Sequence, residues 1–406
     1  MKILLCFGTR PEAIKMAPVI HEFKKQKIAF KVCVTAQHRE MLDQVLEFFE
    51  IKPDYDLDLM EAGQSLNGLG SKIFSAIDKV FDDWLRGFPS AQTQGRQLSR
   101  TEGNIQDSAD LRQAQPDNDA QPDNIVLVHG DTTTASMIAQ AAFHRQIKVG
   151  HVEAGLRTYN KSSPFPEEIN RQIISRIADF HFAPTTRARA NLLKEQIYKE
   201  QIVMTGNTVV DALHWAAKKL SGKVLTEEIR SIQSLLNAQK QLILVTGHRR
   251  ENFGKGLENI AEALLELSLR PNVEIVYPVH LNPNVKESVH RILADRPNIH
   301  LIPPVSYPAM LWLMQRAAVI ISDSGGIQEE APTFGKPVLV TREFSERMEG
   351  VDAGFSVLVG TDKTRIIEET DRLLNNPPDL CKKTNPYGDG KAAERIVEFL
   401  IKQILI

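Results

Sequence analysis

Three acidic residues stand at the ends of predicted strands or at the start of a predicted helix, where they could transfer protons. Asp131 follows the apolar run Ile125–His129, and Glu153 ends the run Val149–Glu153. Glu167 lies further along, at a predicted helix start. The carboxyl ends of neighbouring parallel strands meet at one edge of a sheet, and carboxylates crowded there raise one another's pKa. The sequence therefore predicts an acid–base site, with a helix cap as the alternative role for Asp131.

Two other groups of residues are suited to hold an anion. Arg10 and Lys15 are little more than one helical turn apart at the start of the first predicted helix. Ser324, Gly325 and Gly326 open a later helix, where backbone N–H groups and the helix dipole favour a phosphate. The alternatives are simple solvation of the two cations and an ordinary serine-capped helix start.

His248 and Glu330 extend this second group. His248 follows the predicted strand Leu242–Thr246 and precedes two arginines, which favours a functional role over a structural one. Glu330 lies one helical turn beyond the Ser-Gly-Gly run, where its carboxylate could accept hydrogen bonds from ribose hydroxyls. The second half of the chain is therefore predicted to hold a nucleotide diphosphate, and the first half to carry the chemistry.

The elements that must position these residues follow an alternating pattern. Short apolar runs alternate with longer amphipathic segments, and the alternation starts twice, which is typical of α/β proteins with doubly wound parallel sheets. We predict two Rossmann-like domains facing each other across a cleft, at residues 1–205 and 206–390, and a C-terminal helix at 391–406 that packs back on the first domain. A polar stretch at 87–123 is predicted to be a surface insertion. The predicted strands are 3–7, 31–35, 125–129, 149–153, 201–205, 242–246, 273–278, 300–302, 319–322 and 337–340, and the predicted helices are 11–25, 39–49, 132–145, 167–177, 257–269, 285–294, 308–316 and 327–334.

Composition excludes several classes of protein. The 406 residues are 42% hydrophobic and 25% charged, with a formal net charge of -2, which argues against a general nucleic-acid surface. The three cysteines are odd in number and widely spaced, which argues against a disulfide framework or a zinc site. No glycine fingerprint for a nicotinamide dinucleotide follows the first strand. No apolar run is long enough to span a bilayer, and the short N-terminal run does not match a signal peptide, so we predict a cytoplasmic protein.

Six segments together resemble the bacterial non-hydrolysing UDP-N-acetylglucosamine 2-epimerases: residues 7–15, 35–39, 129–132, 151–157, 246–251 and 322–330. The resemblance implies a glycosyltransferase-B-like fold and a homodimer. It also implies interconversion of UDP-GlcNAc and UDP-ManNAc for surface polysaccharide synthesis, without metal, cofactor, nucleic acid or membrane. Such enzymes eliminate UDP across C1–C2 to give an enzyme-bound 2-acetamidoglucal, and then add UDP back.

The same resemblance implies a role for individual residues. The carboxylates are assigned to proton transfer at C2, and the histidine to the leaving UDP. The catalytic set is Asp131, Glu153, Glu167 and His248, and the UDP-sugar-binding set is Arg10, Lys15, Arg171, Ser324, Gly325, Gly326, Glu330 and Arg347. A possible allosteric set for a second UDP-GlcNAc is Gln37, His38 and Lys72, where Lys72 stands in the place of an arginine. The chain also departs from the family at Val305 and Met310, which stand where a glutamine and a phenylalanine near the uracil are common.

Other functions remain open on the residues alone. A glycosyltransferase of the same fold would also bind a UDP-sugar, and a hydrolysing epimerase would release UDP and the free sugar. A non-catalytic UDP-sugar sensor would keep the loop that runs from Ser324 to Glu330. It would have no need for Asp131, Glu153 and Glu167, so these carboxylates favour an enzyme.

Overall fold

Two parallel sheets form the framework of the chain. The computed structural model describes residues 2–36, 39–61, 63–86, 124–221, 226–247, 249, 252–280 and 282–404. A seven-stranded sheet has the order β3-β2-β1-β4-β5-β6-β7, and a six-stranded sheet has the order β10-β9-β8-β11-β12-β13. The strands are β1 Lys2–Phe7, β2 Phe30–Val34, β3 Tyr55–Asp56, β4 Asn124–His129, β5 Lys148–Val152, β6 Phe180–Ala183, β7 Ile202–Met204, β8 Gln241–Thr246, β9 Val273–Pro278, β10 Ile299–Ile302, β11 Val319–Ser322, β12 Val338–Val340 and β13 Ser356–Leu358.

Helices cover both faces of each sheet, as the near-continuous apolar strands require. We call the seven-stranded sheet with its helices the first lobe, and the six-stranded sheet with its helices the second lobe. The helices are α1 Arg10–Lys25, α2 Arg39–Phe48, α3 Leu66–Arg86, α4 Thr133–His144, α5 Glu167–Ile177, α6 Thr186–Lys194, α7 Thr208–Ser221, α8 Glu227–Leu235, α9 Lys255–Leu267, α10 Pro283–Leu293, α11 Tyr307–Arg316, α12 Gly325–Glu330, α13 Met348–Asp352, α14 Lys363–Asn375 and α15 Ala392–Ile404.

The predicted two-domain α/β class with a glycosyltransferase-B-like arrangement is confirmed. In the first lobe, β4 pairs with β1 and β5 in parallel, with Val128 opposite His151. In the second lobe, β11 pairs with β8 and β12, with Ser322 opposite Thr246 and Val340. These pairings bring the ends of β4 and β5 together on one side of the cleft and the ends of β8 and β11 together on the other.

The chain crosses between the lobes twice, and the two crossings touch. The amide of Asn207 donates to the carbonyl of Tyr387 at 2.7 Å, and the two crossings approach closely where Gly206 faces Gly388. Helix α7, which follows the first crossing, packs on α1, and α15, which follows the second, packs on both α1 and α7. The boundary at residues 205 and 206 and the third unit at 391–406 stay predictions about domain organisation, and the insertion at 87–123 lies outside the described residues.

Candidate active site between the two lobes

Glu12 joins the loops that follow β1 and β4. Its buried carboxylate accepts hydrogen bonds from the amides of Gly8 at 3.0 Å and Thr9 at 2.7 Å. It also accepts one from the hydroxyl of Thr132 at 2.7 Å. Burial raises the pKa of Glu12, and these hydrogen bonds oppose that shift. The start of α1 and the start of α4 are therefore held side by side, which places their side chains at one edge of the sheet.

Lys15 meets two carboxylates, one from each lobe. Its ammonium lies 2.5 Å from Glu153 Oε1 and 2.6 Å from Glu329 Oε2, and its side chain is only 9% exposed. Burial alone would lower the pKa of Lys15, but the two carboxylates outweigh burial and raise it above its usual value. Asn207 adds a hydrogen bond to Glu153 Oε1 at 3.2 Å. Lys15 is therefore a permanently charged link between the lobes.

The turn that contains Glu153 includes two residues with positive φ, Glu153 itself and Gly155. Glu153 has a φ of +65°, a left-handed conformation that is unfavourable for a residue with a side chain. Gly155 has a φ of +93°, and a Cβ there would lie 2.3 Å from the carbonyl oxygen of Ala188. The turn after β5 therefore requires glycine at position 155, and it directs the Glu153 carboxylate back toward Lys15.

His129 is a buried neighbour of Glu153. Its Nε2 is 3.2 Å from Glu153 Oε2, without the geometry of a hydrogen bond. Burial, and then the positive charge of Lys15, lower the pKa of His129 well below its usual value. His129 is therefore a neutral imidazole, and the electrostatic partner of Glu153 is Lys15.

Asp131 is held by an arginine. Arg171 donates to Asp131 Oδ2 from Nε at 2.8 Å and from Nη2 at 2.6 Å, while Asn170 donates to the Asp131 carbonyl at 2.8 Å. The cap of α4 is Thr132, whose hydroxyl accepts from the amide of Ala135 at 3.0 Å. The alternative role of Asp131 as a helix cap is therefore wrong, and its carboxylate, 24% exposed, faces the cleft with Arg171.

Glu167 and Glu168 are neighbours in different environments. Burial, and then the negative charge of Asp131, raise the pKa of Glu167, and its Oε2 has no hydrogen-bond partner among the described residues. Glu168 is fully buried, but hydrogen bonds from the Thr158 amide and from Arg171 and others lower its pKa. The sequence predicted carboxylates that raise one another's pKa, and at Glu167 burial is the larger cause.

Arg347 is the centre of the second lobe's side of the cleft. Its Nε donates to Glu329 Oε1 at 2.8 Å, and its Nη1 contacts Glu346. Burial alone would lower the pKa of Arg347, but the charge of Glu329 and then that of Glu346 raise it. The guanidinium lies against Gly325, where a Cβ would be 2.6 Å from Arg347 Cζ. Glycine at position 325 is therefore needed to seat Arg347.

The arginines of the two lobes approach each other. Burial, and then the positive charge of Arg347, would lower the pKa of Arg171, but the charge of Asp131 and its hydrogen bond outweigh them and raise it. Two mutually repelling guanidinium groups favour an anion between them. Arg10 makes no hydrogen bond or ion pair with any other described residue, and its charge acts on Glu330. Among the described residues, Arg10 is therefore available to an incoming anion, whereas Arg171 and Arg347 are each paired with carboxylates.

Glu330 lies beside Lys15 and Arg10 in a partly buried position. Burial, and then the negative charge of Glu329, raise its pKa to about 7, against the opposing charges of Lys15 and Arg10. Tyr307 is close enough for the charge of Glu330 to act on it, and its hydroxyl has no partner in the described part of the chain. A carboxylate and a phenol with free hydrogen-bonding capacity suit a polyhydroxyl ligand group.

Several predicted residues lie elsewhere or cannot be placed. Lys72 is partly buried on α3 and pairs with Glu61. Val305 and Met310 are partly buried and pack against the larger hydrophobic core. Ser324 immediately precedes α12 and makes no side-chain capping bond, and Gly326 follows within that helix. His248, Gln37 and His38 lie outside the described residues, so their predicted roles stay predictions.

Two residues of this arrangement, Asn207 and Glu329, escaped the sequence analysis. The spacing of Thr9 and Glu12 predicts a capping box, and the structure confirms it. Glu329 carried only a weak signal, because a carboxylate in a predicted buried helix must find a partner. Its partner Lys15 is 314 residues away, so only the fold identifies it.

Two features are absent from the described part of the chain. No group of three or more histidine, cysteine, aspartate or glutamate side chains in that part of the chain could hold a metal ion. Of its helices, none has both the length and the apolar character that crossing a bilayer requires.

Comparison with known proteins places this geometry in a family. A model of the UDP-N-acetylglucosamine 2-epimerase family matches residues 21–84 and 109–401. The UDP-N-acetylglucosamine 2-epimerase of Salmonella typhimurium is 48% identical over 98% of both chains. A crystal structure of the Neisseria meningitidis UDP-GlcNAc 2-epimerase bound to UDP-GlcNAc is 45% identical and superposes with a TM-score of 0.85, over 99% of this chain and 100% of that one. The Methanocaldococcus jannaschii enzyme in complex with UDP-GlcNAc and UDP is 30% identical, with a TM-score of 0.78 over 99% and 100% of the two chains. This chain therefore belongs to the UDP-N-acetylglucosamine 2-epimerase family.

Proposed function

We propose that this chain interconverts UDP-N-acetylglucosamine and UDP-N-acetylmannosamine by eliminating UDP and adding it back. The observation that carries the proposal is the link through Lys15, which joins the carboxylate Glu153 of the first lobe to Glu329 and Arg347 of the second. An acid–base group and a phosphate-binding group are thereby brought to one place. Relatives of at least 45% identity that are named for this activity support the proposal.

The chemistry explains why both groups are needed. The hydrogen on C2 is not next to a carbonyl, so simple deprotonation is too slow at neutral pH. In the elimination, the C2–H bond breaks and its proton goes to a carboxylate, while the C1–O bond breaks and its electron pair leaves with UDP. A C1=C2 double bond forms. Addition of UDP at C1, with a proton delivered to the other face of C2, completes the epimerisation.

The first lobe supplies the proton-transfer groups in this proposal. Asp131, Glu153 and Glu167 serve the two faces of C2. Burial raises the pKa of Glu167, and its Oε2 has no partner among the described residues, which supports a role for this carboxyl in proton transfer. Arg171 orients Asp131 through its two contacts with Oδ2. His248 acts on the departing UDP, as the family resemblance implies.

The second lobe and the start of α1 hold UDP. Lys15 and Arg347 carry the positive charge that a departing diphosphate needs, and Arg10, which has no partner in the described part of the chain, lies close by. The backbone amides beside Ser324, Gly325 and Gly326 face the same anion, and Glu330 accepts hydrogen bonds from the ribose. Val305 and Met310 line the uracil side.

Deuterium incorporation tests the proposal directly. UDP-N-acetylglucosamine is incubated with the protein in deuterated water, without added metal or nicotinamide, and the recovered sugar nucleotides are examined by NMR. We expect both epimers, with deuterium at C2. A hydrolysing epimerase would instead yield UDP and free N-acetylmannosamine, and a glycosyltransferase would leave C2 unlabelled; either result would contradict the proposal.

Asp131→Asn separates an enzyme from a sensor. The substitution keeps the shape of the side chain but removes its charge, so we expect turnover to fall by at least about a hundredfold. UDP affinity, measured by calorimetry, should change by less than about threefold, because Lys15 and Arg347, which carry the charge for the diphosphate, are paired with carboxylates other than Asp131. Wild-type protein that binds UDP and shows no turnover would favour the sensor.

Two further predictions rest on the sequence alone. We expect a homodimer, which light scattering measures, and a cytoplasmic location, which cell fractionation measures. A monomer that turns over at the full rate would contradict the first, and recovery of the protein with the cell envelope would contradict the second.

A further inference from the structure

A row of five buried side chains with alternating charges runs from one lobe to the other. In order these are Glu153, Lys15, Glu329, Arg347 and Glu346, and we call them the interlobe charge row. The contacts are 2.5 Å from Glu153 to Lys15, 2.6 Å from Lys15 to Glu329 and 2.8 Å from Glu329 to Arg347, and the row ends at the contact with Glu346. Each member has a side chain no more than 13% exposed.

Glu329 is the member that joins the lobes. Its side chain is 1% exposed, and its two oxygens are divided between Lys15 of the first lobe and Arg347 of the second. Among the described residues, polar contacts between the lobes also run from Thr185 to Glu349 at 2.6 Å and from Arg187 to Asp352 at 2.7 Å. The Arg187–Asp352 pair is at least half exposed on both sides, so solvent screens it.

Ligand binding does not explain why a carboxylate stands at position 329. Glu329 is negatively charged and stands between the two cations that a diphosphate would use, so its charge opposes the ligand. Neutral side chains would leave Lys15 and Arg347 free for the phosphates. Glu329 instead contributes to the geometry of the site. Its single rigid carboxylate fixes the distance between two cations, Lys15 and Arg347, on different lobes.

We propose that Glu329 is a positioning residue that keeps the two lobes in register while UDP is detached from the sugar. This inference rests on the proposed function, in which the diphosphate leaves C1 and must return to it. Lys15 also contacts Glu153, so any movement of Lys15 away from the second lobe moves the partner of a proton-transfer carboxylate. Without Glu329, elimination still occurs, but UDP and 2-acetamidoglucal dissociate more often before the addition step.

Glu329→Gln tests the inference, because glutamine keeps the shape of the side chain and removes its charge. Epimerised UDP-sugar, free UDP and free 2-acetamidoglucal are measured in the same reaction by NMR and chromatography. We expect the ratio of released UDP to epimerised product to rise by roughly tenfold and kcat to fall. The affinity for UDP should stay within about threefold or become tighter, since a repelling charge is lost.

Glu329→Asp and Asp352→Asn are the controls. Aspartate keeps the charge on a shorter side chain, so its release ratio should lie between those of the wild type and Glu329→Gln. Asp352→Asn removes the exposed interlobe pair, and its ratio should equal that of the wild type. A merely structural role for Glu329 would lower the thermal stability of its variants and leave the release ratio unchanged.

The outcomes separate this inference from the proposed function. Wild-type protein that incorporates no deuterium at C2 would overturn the proposed function. Active wild type together with a folded Glu329→Gln variant of unchanged release ratio would overturn the role of Glu329 alone. If Glu329→Gln does not fold, Glu329→Asp decides, and a wild-type ratio in that variant would overturn the role.

Discussion

Glu329 and Glu330 are adjacent in the chain, but their carboxylates have very different electrostatic environments. Successive residues on a helix point in directions about 100° apart, so the two side chains have different surroundings. Glu329 forms ion pairs with Lys15 and Arg347. Glu330 is partly buried and forms no ion pair with another described residue, so its ionised form is stabilised by the longer-range charges of Lys15 and Arg10. The neutral form of Glu330 is therefore favoured up to about pH 7 in the absence of ligand.

Glu330→Gln is expected to stabilise the free protein more at about pH 8 than at about pH 5. In the folded chain the pKa of Glu330 is raised from 4.5 to about 7. A folded pKa above the unfolded one means that stability falls as the pH rises through this interval, here by about 2 kcal/mol after allowance for partial exposure. Glutamine removes that dependence. Urea unfolding of both proteins at the two pH values measures it.

The control for this prediction is Glu200→Gln, on the exposed 3-10 turn Lys199–Gln201. It should change the free energy of unfolding by less than about 0.5 kcal/mol at either pH. Glu330→Gln should also weaken UDP binding, because it loses a charged acceptor for the ribose. Equal stabilisation by Glu330→Gln at both pH values would contradict the raised pKa.

At the residue scale, sequence reasoning found the side chains that stand at strand ends, and it missed those that depend on the fold. Asp131 and Glu153 could be predicted from the sequence because each follows an apolar strand. Their partners Arg171 and Lys15 are 40 and 138 residues away from them, so these specific pairings could not be derived from spacing. The family resemblance named both cations, but as ligands of the UDP-sugar rather than as partners of carboxylates.

At the element scale, buried strands were the easiest features to predict. Val273–Pro278 and Val319–Ser322 match the predictions residue for residue, and helix α5 does so at Glu167–Ile177. Tyr55–Asp56, Phe180–Ala183 and Ser356–Leu358 were not predicted. The first and the last are short strands at sheet edges, which have one partner and a weak apolar pattern. The side of the cleft on which α7 packs depends on tertiary contacts and could not be read from its own residues.

Asp211 anchors the C-terminal helix α15 to α7. Its carboxylate accepts hydrogen bonds from the amides of Ala393 at 2.9 Å and Ala392 at 3.2 Å, which otherwise lack partners at the start of a helix. We expect Asp211→Ala to lower the free energy of unfolding by about 1 to 2 kcal/mol. It should also speed hydrogen exchange of the α15 amides, which mass spectrometry measures.

Asp389→Ala is the matched control for Asp211→Ala. Asp389 pairs with Arg395 near the same end of α15, at 2.7 Å, but its side chain is 55% exposed. Exposed ion pairs contribute about 0 to 1 kcal/mol, so we expect a smaller loss of stability and little change in exchange across α15. If the two variants exchange α15 amides at equal rates, Asp211 is not the anchor.

At the scale of the whole molecule, the lobes share apolar packing as well as charges. One hydrophobic core cluster contains residues of both sheets and of α15, such as Leu5, Leu244 and Ile396. Between the lobes, Phe49 lies 4.9 Å from Trp215 and 6.1 Å from Tyr307, measured between ring centroids. The sequence predicted two domains from its repeated alternation, and it could not predict this shared core, which arises from residues scattered over the whole chain.

The shared core and the two chain crossings predict that the lobes unfold together. Calorimetry should show one cooperative transition, because neither lobe can lose its structure without exposing apolar surface of the other. UDP at about a hundred times its dissociation constant should stabilise the folded chain by about 2.7 kcal/mol and move that single transition upward by several degrees. The same measurement with Lys15→Ala should show a smaller shift, because that variant loses a cation for the diphosphate and its contact with Glu329. Two separate transitions, only one of which responds to UDP, would mean that the lobes are independent and that the buried contacts between them contribute little to stability.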